Sequence, residues 1–217
     1  MTEFNNKDFE ILDISGFVAN FRDDILRSIP TSPDWAEAIA LSLEATVLEK
    51  IKIINVIKPI ALNVWFLDIG PSGLAYKSLP LTSFVYGLIN EISDTTGKRF
   101  GIPSRYSVEG LIQYLCEKYE EGNNKGQYKH NSGLLVRDEF TSIFKEYQNK
   151  GYLSDQMEFL SELYDGIVQS RMTRKTGLEE GGEVYINLLS ATTPYLYSVM
   201  NKNFFIQGTG NRFIYIL

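Results

Sequence analysis

The first part of the chain shows the spacing of hydrophobic positions that is typical of helices. Apolar side chains recur every three or four positions over residues 33–50, directly after Ser32, a candidate N-cap. Residues 17–29 show a weaker pattern of the same kind, and Pro30 ends it. We therefore expect residues 1–57 to form a helical N-terminal preface.

From residue 58 onward, short apolar runs rich in β-branched and aromatic side chains alternate with helical patterns. The predicted strands are 63–69, 100–104, 132–136, 168–174, 183–189 and 212–217. The predicted helices are 79–92, 108–121, 138–150, 155–164 and 194–201. Residues 176–183, TGLEEGGE, have the composition of an exposed hairpin tip. This alternation predicts an α/β core over 58–217, a mostly parallel sheet sandwiched by helices.

Composition and charge narrow the classes of protein. Of the 217 residues, 44% are hydrophobic and 22% are charged, which is close to the average of globular domains. Twenty-one basic and 27 acidic side chains give a net charge of −6. Because binding to phosphates requires clustered Lys and Arg, a generally basic nucleic-acid surface is excluded and any such contact must be local.

The single cysteine and the single histidine exclude two further kinds of site. Cys116 has no second cysteine for an intrachain disulfide, and with His130 it is too few ligands for a usual Cys/His metal centre. Residues 1–9 are polar and acidic, unlike a secretory signal. The most apolar stretch, 51–69, contains too many polar side chains to cross a membrane. We expect a cytoplasmic protein without a membrane segment.

The segment that follows the first predicted core strand reads GPSGLAYKS and is a candidate phosphate-binding loop. Lys77 would reach the terminal phosphates and Ser78 would ligate magnesium, while backbone amides approach the phosphate chain at Gly70, Pro71, Ser72 and Gly73. The segment departs from the standard G-x-x-x-x-G-K-[ST] spacing by one residue, and Tyr76 stands where glycine is expected. The alternative is an ordinary Gly/Pro turn before a helix.

The next apolar strand ends in LLVRDE, which has the pattern of a Walker B strand. Asp138 would orient magnesium through water, and Glu139 would polarise an attacking water. The alternative is an acidic helix start, because carboxylates favour the first turn of a helix.

Two later segments add candidate groups at strand ends. LLSATTP places the hydroxyls of Ser190 and Thr192 where a γ-phosphate or its attacking water could be sensed, although Thr193 before Pro194 also suits an N-cap. QGTGNR presents Arg212 on a flexible turn, which suits an arginine finger. The alternative is that Arg212 forms a surface ion pair.

Together, GPSGLAYKS, LLVRDE, LLSATTP and GTGNRF resemble, in that order, the RecA-like and AAA-like P-loop ATPases. The closer resemblance is to the primase–helicase-type ATPase domains of plasmids, viruses and integrated elements, and it covers about residues 64–213. It implies a RecA-like P-loop NTPase fold in which the strand 184–189 lies between the two motif strands. It also implies magnesium-dependent ATP hydrolysis in a DNA-handling machine.

The resemblance assigns roles to individual residues and implies partners. The roles are phosphate binding for Lys77, magnesium binding for Ser78 and Asp138, the base for Glu139, a sensor for Thr192 and a finger toward a neighbouring subunit for Arg212. The cofactors would be ATP and Mg²⁺, and the chain would form homo-oligomers with sites between subunits. Single-stranded DNA is a candidate partner.

Two other functions stay open from the residues alone. A degenerate P-loop fold could serve as a non-catalytic interaction or assembly module, or the chain could be a small-molecule phosphotransferase active as a monomer. The basic segment 171–176 could contact nucleic-acid phosphates. We favour a hairpin in which Glu179, Glu180 and Glu183 neutralise these charges.

Overall fold

The structure is a computed structural model. It describes residues 14–48, 52–54, 59–73, 76–148, 153–173, 177–200, 202–206 and 208–217. Its helices are α1 Ile14–Ser28, α2 Pro33–Leu48, α3 Ser78–Pro80, α4 Tyr86–Thr96, α5 Val108–Cys116, α6 Thr141–Gln148, α7 Leu153–Asp165, α8 Leu196–Val199 and α9 Lys202–Ile206. A π-helical turn, Leu81–Val85, joins α3 to α4, and a 3₁₀ turn spans Gly210–Arg212.

The strands are short outside the core sheet. They are β1 Lys52–Ile54, β2 Pro59–Ala61, β3 Trp65–Ile69, β4 Gly101–Ile102, β5 Ser132–Arg137, β6 Ile167–Val168, β7 Arg171–Thr173, β8 Gly177–Glu179, β9 Gly182–Glu183, β10 Tyr185–Thr192 and β11 Ile214–Ile216. None of the helices in the described residues combines the length and the apolar character needed to cross a membrane.

The core is a five-stranded sheet in the order β11-β3-β10-β5-β4, and each neighbouring pair is parallel. In the centre, Leu189 of β10 pairs with Phe66 of β3 on one side and with Val136 of β5 on the other. The expected α/β class, the parallel sheet and the position of β10 between the two motif strands are confirmed. The carboxyl ends of β3, β5 and β10 consequently meet at one edge of the sheet.

Helices cover both faces of this sheet, as the alternating pattern predicted. On one face, α1, α2 and α4 bury a cluster with Trp35, Ile39, Phe66, Leu189 and Ala191. On the other face, α5 to α9 bury a second cluster that includes Trp65, Leu135, Phe140, Leu160 and Leu188. Alternation of side chains along each strand sends successive residues to opposite clusters.

The N-terminal preface is helical over α1 and α2, and it packs on the sheet itself. The hydroxyl of Ser32 accepts a hydrogen bond from the Trp35 amide at 3.1 Å, which confirms the predicted N-cap of α2. Trp35 and Ile39 are fully buried against the sheet residues. The proposed boundary between residues 57 and 58 lies outside the described residues, and β1 pairs with β2 across it.

The predicted hairpin is confirmed by antiparallel pairing between residues 167–173 and 177–183, but the extent of its predicted tip, 176–183, is wrong for most of its length. Gly177–Glu179 forms β8, paired antiparallel with β7, and Gly182–Glu183 forms β9, paired with β6. Strand pairing within this hairpin therefore overrides the turn composition of the segment. Residues 174–176, which include two of the basic side chains of the segment 171–176, lie outside the described residues.

Two predicted helices are shorter than the sequence pattern suggests. The helix predicted over 108–121 ends at Cys116, because Glu117 is extended and Lys118 pairs with Tyr128. The helix predicted to begin at residue 138 begins at Thr141, whose backbone amide is bound by the Glu139 carboxylate at 3.1 Å. The acidic pair thus precedes the helix, and one of its members caps it.

Candidate functional site

The candidate phosphate loop leaves β3 at the carboxyl edge of the sheet and leads into α3. Two of its described residues have positive φ, Gly73 at 79° and Tyr76 at 45°. Among the residues the structure describes, Tyr76 is the one non-glycine residue with a positive φ. The backbone therefore adopts the conformation that favours glycine at the position where the motif expects glycine. Leu74 and Ala75 lie outside the described residues.

Lys77 is buried and bends back over this loop. Its Nζ donates to the carbonyl oxygens of Gly70 at 2.5 Å and Pro71 at 3.1 Å. The indole Nε1 of Trp35 donates to the Lys77 carbonyl at 3.1 Å, so α2 fixes the backbone from which this side chain extends. Lys77 thus lies against Gly70 and Pro71 of the same candidate loop, and its binding of phosphates stays a prediction. The role of Trp35 was missed, because no local pattern links a helix residue to a loop 42 positions away.

Ser78 is the first residue of α3, at the point where the loop becomes a helix. Its side chain is exposed, and its carbonyl accepts a hydrogen bond from the Thr82 hydroxyl at 2.9 Å. Because α3, the π-helical turn and α4 follow one another without a break, the amino end of a helix running to Thr96 faces this edge. Free backbone amides at such an end favour anions.

Asp68 is a buried acidic group that the sequence analysis overlooked. It is the fourth residue of β3, and it is 6% exposed. Loss of solvent raises the pKa of its carboxyl group to about 6, while the positive charge of Lys77 acts in the opposite direction. An acidic residue inside the apolar run WFLDI was the signal that could have identified it.

The predicted base and the predicted sensor lie in contact. Thr192, at the end of β10, donates its hydroxyl to Glu139 Oε1 at 2.7 Å. The same oxygen accepts the Thr141 amide, and the hydroxyls of Thr141 and Thr192 are hydrogen-bonded to each other. Thr192 is buried, whereas Glu139 is exposed. Ser190 has a different role, because its hydroxyl donates to the Arg137 carbonyl at 2.5 Å and thereby ties β10 to β5.

Asp138 is exposed at the end of β5 and faces the helix that follows the candidate loop. Tyr86, the first residue of α4, donates its hydroxyl to the Val136 carbonyl at 3.2 Å. Burial, and secondly the negative charge of Asp138, raise the pKa of the Tyr86 hydroxyl. Helix α4 therefore contacts the strand that precedes the acidic pair, and it continues the helical segment that follows the candidate loop with Lys77.

Arg212 lies at the opposite edge of the sheet. It precedes β11, and β11 runs parallel to β3, so this residue is level with the start of β3. Its guanidinium pairs with the Asp165 carboxylate at 2.9 Å and lies 5.6 Å from the centre of the Tyr164 ring. The surface ion pair that the sequence left open is present, and the chain does not bring Arg212 to its own loop. Its use as a finger toward a neighbouring subunit stays a prediction.

Within the described ranges, no group of three or more His, Cys, Asp or Glu side chains is arranged to hold a metal ion. A magnesium ion would therefore have few protein ligands, which is usual when nucleotide phosphates and waters complete its coordination. Ser78 and Asp138 supply oxygen atoms of the kind that it prefers.

No protein-family model matches the chain, and no curated protein has a matching sequence. The function is therefore inferred from the geometry at the carboxyl edge of the sheet.

Proposed function

We propose that the protein binds ATP with Mg²⁺ at the carboxyl edge of its parallel sheet and hydrolyses it as part of a DNA-handling machine. The observation that carries the proposal is the meeting of three strand ends at this edge. β3 leads into the Lys77 loop, β5 into Asp138 and Glu139, and β10 ends at Thr192, which is bound to Glu139.

The residues of this edge fit a magnesium nucleotide. The positive φ of Gly73 and the start of a helix at Ser78 suit a loop that turns its amides toward an anion. Lys77 is the cation of the loop, and its ammonium group is bound to two loop carbonyls, contacts that it can exchange for phosphate oxygens. Ser78 and Asp138 would hold the metal, which would neutralise charge on the phosphates.

Each residue has a distinct task in the proposed hydrolysis. Glu139 accepts a hydrogen bond from the attacking water and orients it in line with the phosphorus. Thr192 and the Thr141 amide hold the Glu139 carboxylate in place. Lys77 offsets the negative charge that develops on the transferred phosphoryl group. Arg212 would add a second cation only from a neighbouring copy, which makes the proposed oligomer part of the active form.

Two observations favour the non-catalytic alternative. Lys77 is already satisfied by the Gly70 and Pro71 carbonyls, and Tyr76 occupies a backbone conformation that is costly for a side chain. A loop that is held in this way by its own lysine could keep the fold without binding nucleotide. In that case the chain would be an interaction or assembly module.

If the chain is instead a monomeric phosphotransferase, its activity should not depend on Arg212.

Magnesium-dependent ATP hydrolysis by the whole chain, titrated with protein and with single-stranded DNA, tests the proposal. We expect turnover that Glu139→Gln and Lys77→Ala abolish, and that single-stranded DNA stimulates. The matched control is Glu121→Gln, which changes an exposed glutamate in a distant loop and leaves turnover unchanged. Absence of turnover and of ATP binding in the wild type would reject the enzyme and support the assembly module. Turnover without any effect of DNA would reject only the DNA-handling part.

A further inference from the structure

A groove of about 420 Å³ lies between α1, α2 and α4. Its lining is mostly apolar and includes Phe17 and Phe21 of α1, Val47 and Leu48 of α2, and Leu88 and Ile92 of α4. The side-chain amide of Asn187, the third residue of β10, donates to the Thr46 hydroxyl at 3.2 Å, which holds the end of α2 near the amino edge of the sheet. The groove is therefore separate from the candidate nucleotide site at the carboxyl edge.

Large apolar side chains of this groove are exposed to solvent. Phe17 is 50% exposed, Val47 is 51% exposed and Leu48 is 38% exposed. The ring of Phe17 stacks on that of Phe21, with 5.5 Å between the ring centres, so the two form a continuous apolar wall. A small molecule inside the groove would leave these outer side chains in water. Contiguous apolar surface of this kind is typical of sites where proteins dock.

The three helices that build the groove carry most of the net charge of the chain. Helix α2 has three acidic and no basic residues, α4 has two acidic and no basic residues, and α1 has two of each. Five of the six net negative charges therefore lie in these helices. Among them, Glu44 lines the groove, and it has neither an ion pair nor a hydrogen-bond donor among the residues that the structure describes. Loss of solvent raises the pKa of its carboxyl group.

These charges distinguish between the candidate occupants of the groove. A second copy that docked through the same face would bring its own Glu44 and acidic helices against this one, and like charges repel. Residues 1–13, which precede α1, contain four acidic side chains and one lysine, so they would also meet like charge. An added strand would find no partners, because the backbone groups of the three helices are bonded within the helices. A helix satisfies its own backbone and needs only side-chain contacts.

We propose that this groove binds a basic amphipathic helix of a partner protein. Apolar side chains three and four positions apart on that helix fill the groove and cover Phe17, Val47 and Leu48. A Lys or Arg beside this apolar stripe pairs with Glu44. The proposal goes beyond the proposed function, because it requires neither ATP nor the residues of the carboxyl edge. It makes the N-terminal helices a surface through which the chain recruits its partner.

Fluorescence anisotropy with a labelled, capped peptide of leucine and lysine, whose leucines recur at helical spacing, tests the proposal on the whole chain. We expect saturable binding that is at least about tenfold tighter than that of the counterpart peptide with Glu in place of Lys. A peptide of the same composition with alternating Leu and Lys should bind equally weakly. Val47→Asp should weaken binding at least about tenfold, because it places an unpaired carboxylate beneath the apolar stripe. Glu44→Gln should weaken it about two- to fivefold, the effect of a partly exposed ion pair.

The matched control is Met172→Asp, which adds the same charge at an exposed apolar position of β7, outside the groove. A basic peptide held by charge alone would bind both aspartate variants slightly more tightly, so a loss confined to Val47→Asp identifies the groove. Thermal unfolding verifies that both variants are folded, which the exposure of the two positions leads us to expect.

Equal affinities of the two aspartate variants, or of the lysine and glutamate peptides, would overturn the proposal. Sedimentation of the wild type and of Val47→Asp tests the other occupant. Oligomers of the wild type that Val47→Asp dissociates would also overturn it, because a second copy would then fill the groove. None of these outcomes changes the test of ATP hydrolysis, so the two proposals can fail separately.

Discussion

Thr192 and Glu139 are joined by a hydrogen bond of 2.7 Å although 53 positions separate them in the chain. The pair forms because β10 lies next to β5 in the sheet, so that the last residue of β10 meets a residue that follows β5. The Thr141 hydroxyl and amide extend the pair into a small network around one carboxylate. A carboxylate held in such a network is oriented before any substrate arrives, which is what the proposed role of Glu139 requires.

Replacing Thr192 by Val should therefore lower kcat about tenfold with little change in KM, because it removes a contact that orients the base. The loss of a buried hydroxyl partner should also lower the free energy of unfolding by about 1 kcal/mol. Steady-state kinetics and urea unfolding measure the two effects. The matched control is Thr193→Val, one residue further along and outside this network. Equal kinetic losses in both variants would contradict the role of Thr192.

Tyr76→Gly should stabilise the protein relative to Tyr76→Ala by about 1 kcal/mol, because only glycine adopts the positive φ of this position without cost. Both variants remove the phenol ring, so their difference isolates the contribution of the backbone. Denaturant unfolding measures it. If Tyr76→Ala is more stable than Tyr76→Gly, the loop has a different conformation in solution.

The buried carboxyl group of Asp68 makes stability depend on pH in a defined direction. Its pKa is raised in the folded state from the ordinary 3.8 to about 6, so the folded state binds the proton more tightly than the unfolded state. The protein should be most stable, with respect to this group, below pH 4, and should lose stability as the pH rises through about 6, above which the loss is complete. A tenfold difference in proton affinity corresponds to about 1.4 kcal/mol, so the full effect is on the order of 3 kcal/mol.

Urea unfolding of the wild type and of Asp68→Asn between pH 4 and pH 8 measures this contribution. The free energy of unfolding of Asp68→Asn should exceed that of the wild type by an amount that grows as the pH increases, because only the wild type gains a buried charge. A difference that is independent of pH would mean that Asp68 is solvated or paired in solution.

The two tryptophans allow a matched test of how α2 supports the loop. In each, the indole donates to a backbone carbonyl, Trp35 to Lys77 at 3.1 Å and Trp65 to Ile186 at 2.8 Å. Replacement by Phe should lower the free energy of unfolding in either case by about 1 to 3 kcal/mol, since a buried carbonyl loses its partner. Only Trp35→Phe should also weaken ATP binding, which calorimetry can measure. Equal affinities in the two variants would show that the contact of Trp35 does not support the loop.

Arg212→Ala distinguishes an ion pair from a catalytic finger. The pair with Asp165 is partly exposed, so its loss should lower the free energy of unfolding by less than about 1 kcal/mol. If Arg212 also acts on the site of a neighbouring copy, the variant should lose turnover at protein concentrations where the wild type is oligomeric, whereas Asp165→Asn should retain it. Unchanged turnover in Arg212→Ala would restrict this residue to the ion pair.

Much of the fold could be predicted from short stretches of the chain. Apolar spacing and turn residues identified α1, α2 and the core strands, and the same local reasoning placed the Ser32 cap correctly. These features depend on neighbours within a few positions, so the sequence alone contains the necessary information. The extent of the hairpin tip at 176–183 was predicted wrongly, because its strands form by pairing with β6 and β7, which the composition of the segment does not reveal.

The sequence by itself placed Lys77, Glu139 and Thr192 at strand ends, since strand and turn patterns locate those ends. It could not identify the contacts that position these side chains, because each of those contacts joins elements that are distant in the chain. The Trp35 bond to Lys77, the burial of Asp68 and the Arg212 pair with Asp165 all arise when helices pack on the sheet. Only the assembled sheet brings Thr192 to Glu139 and carries Arg212 to the opposite edge, because strand order and direction are properties of the whole fold.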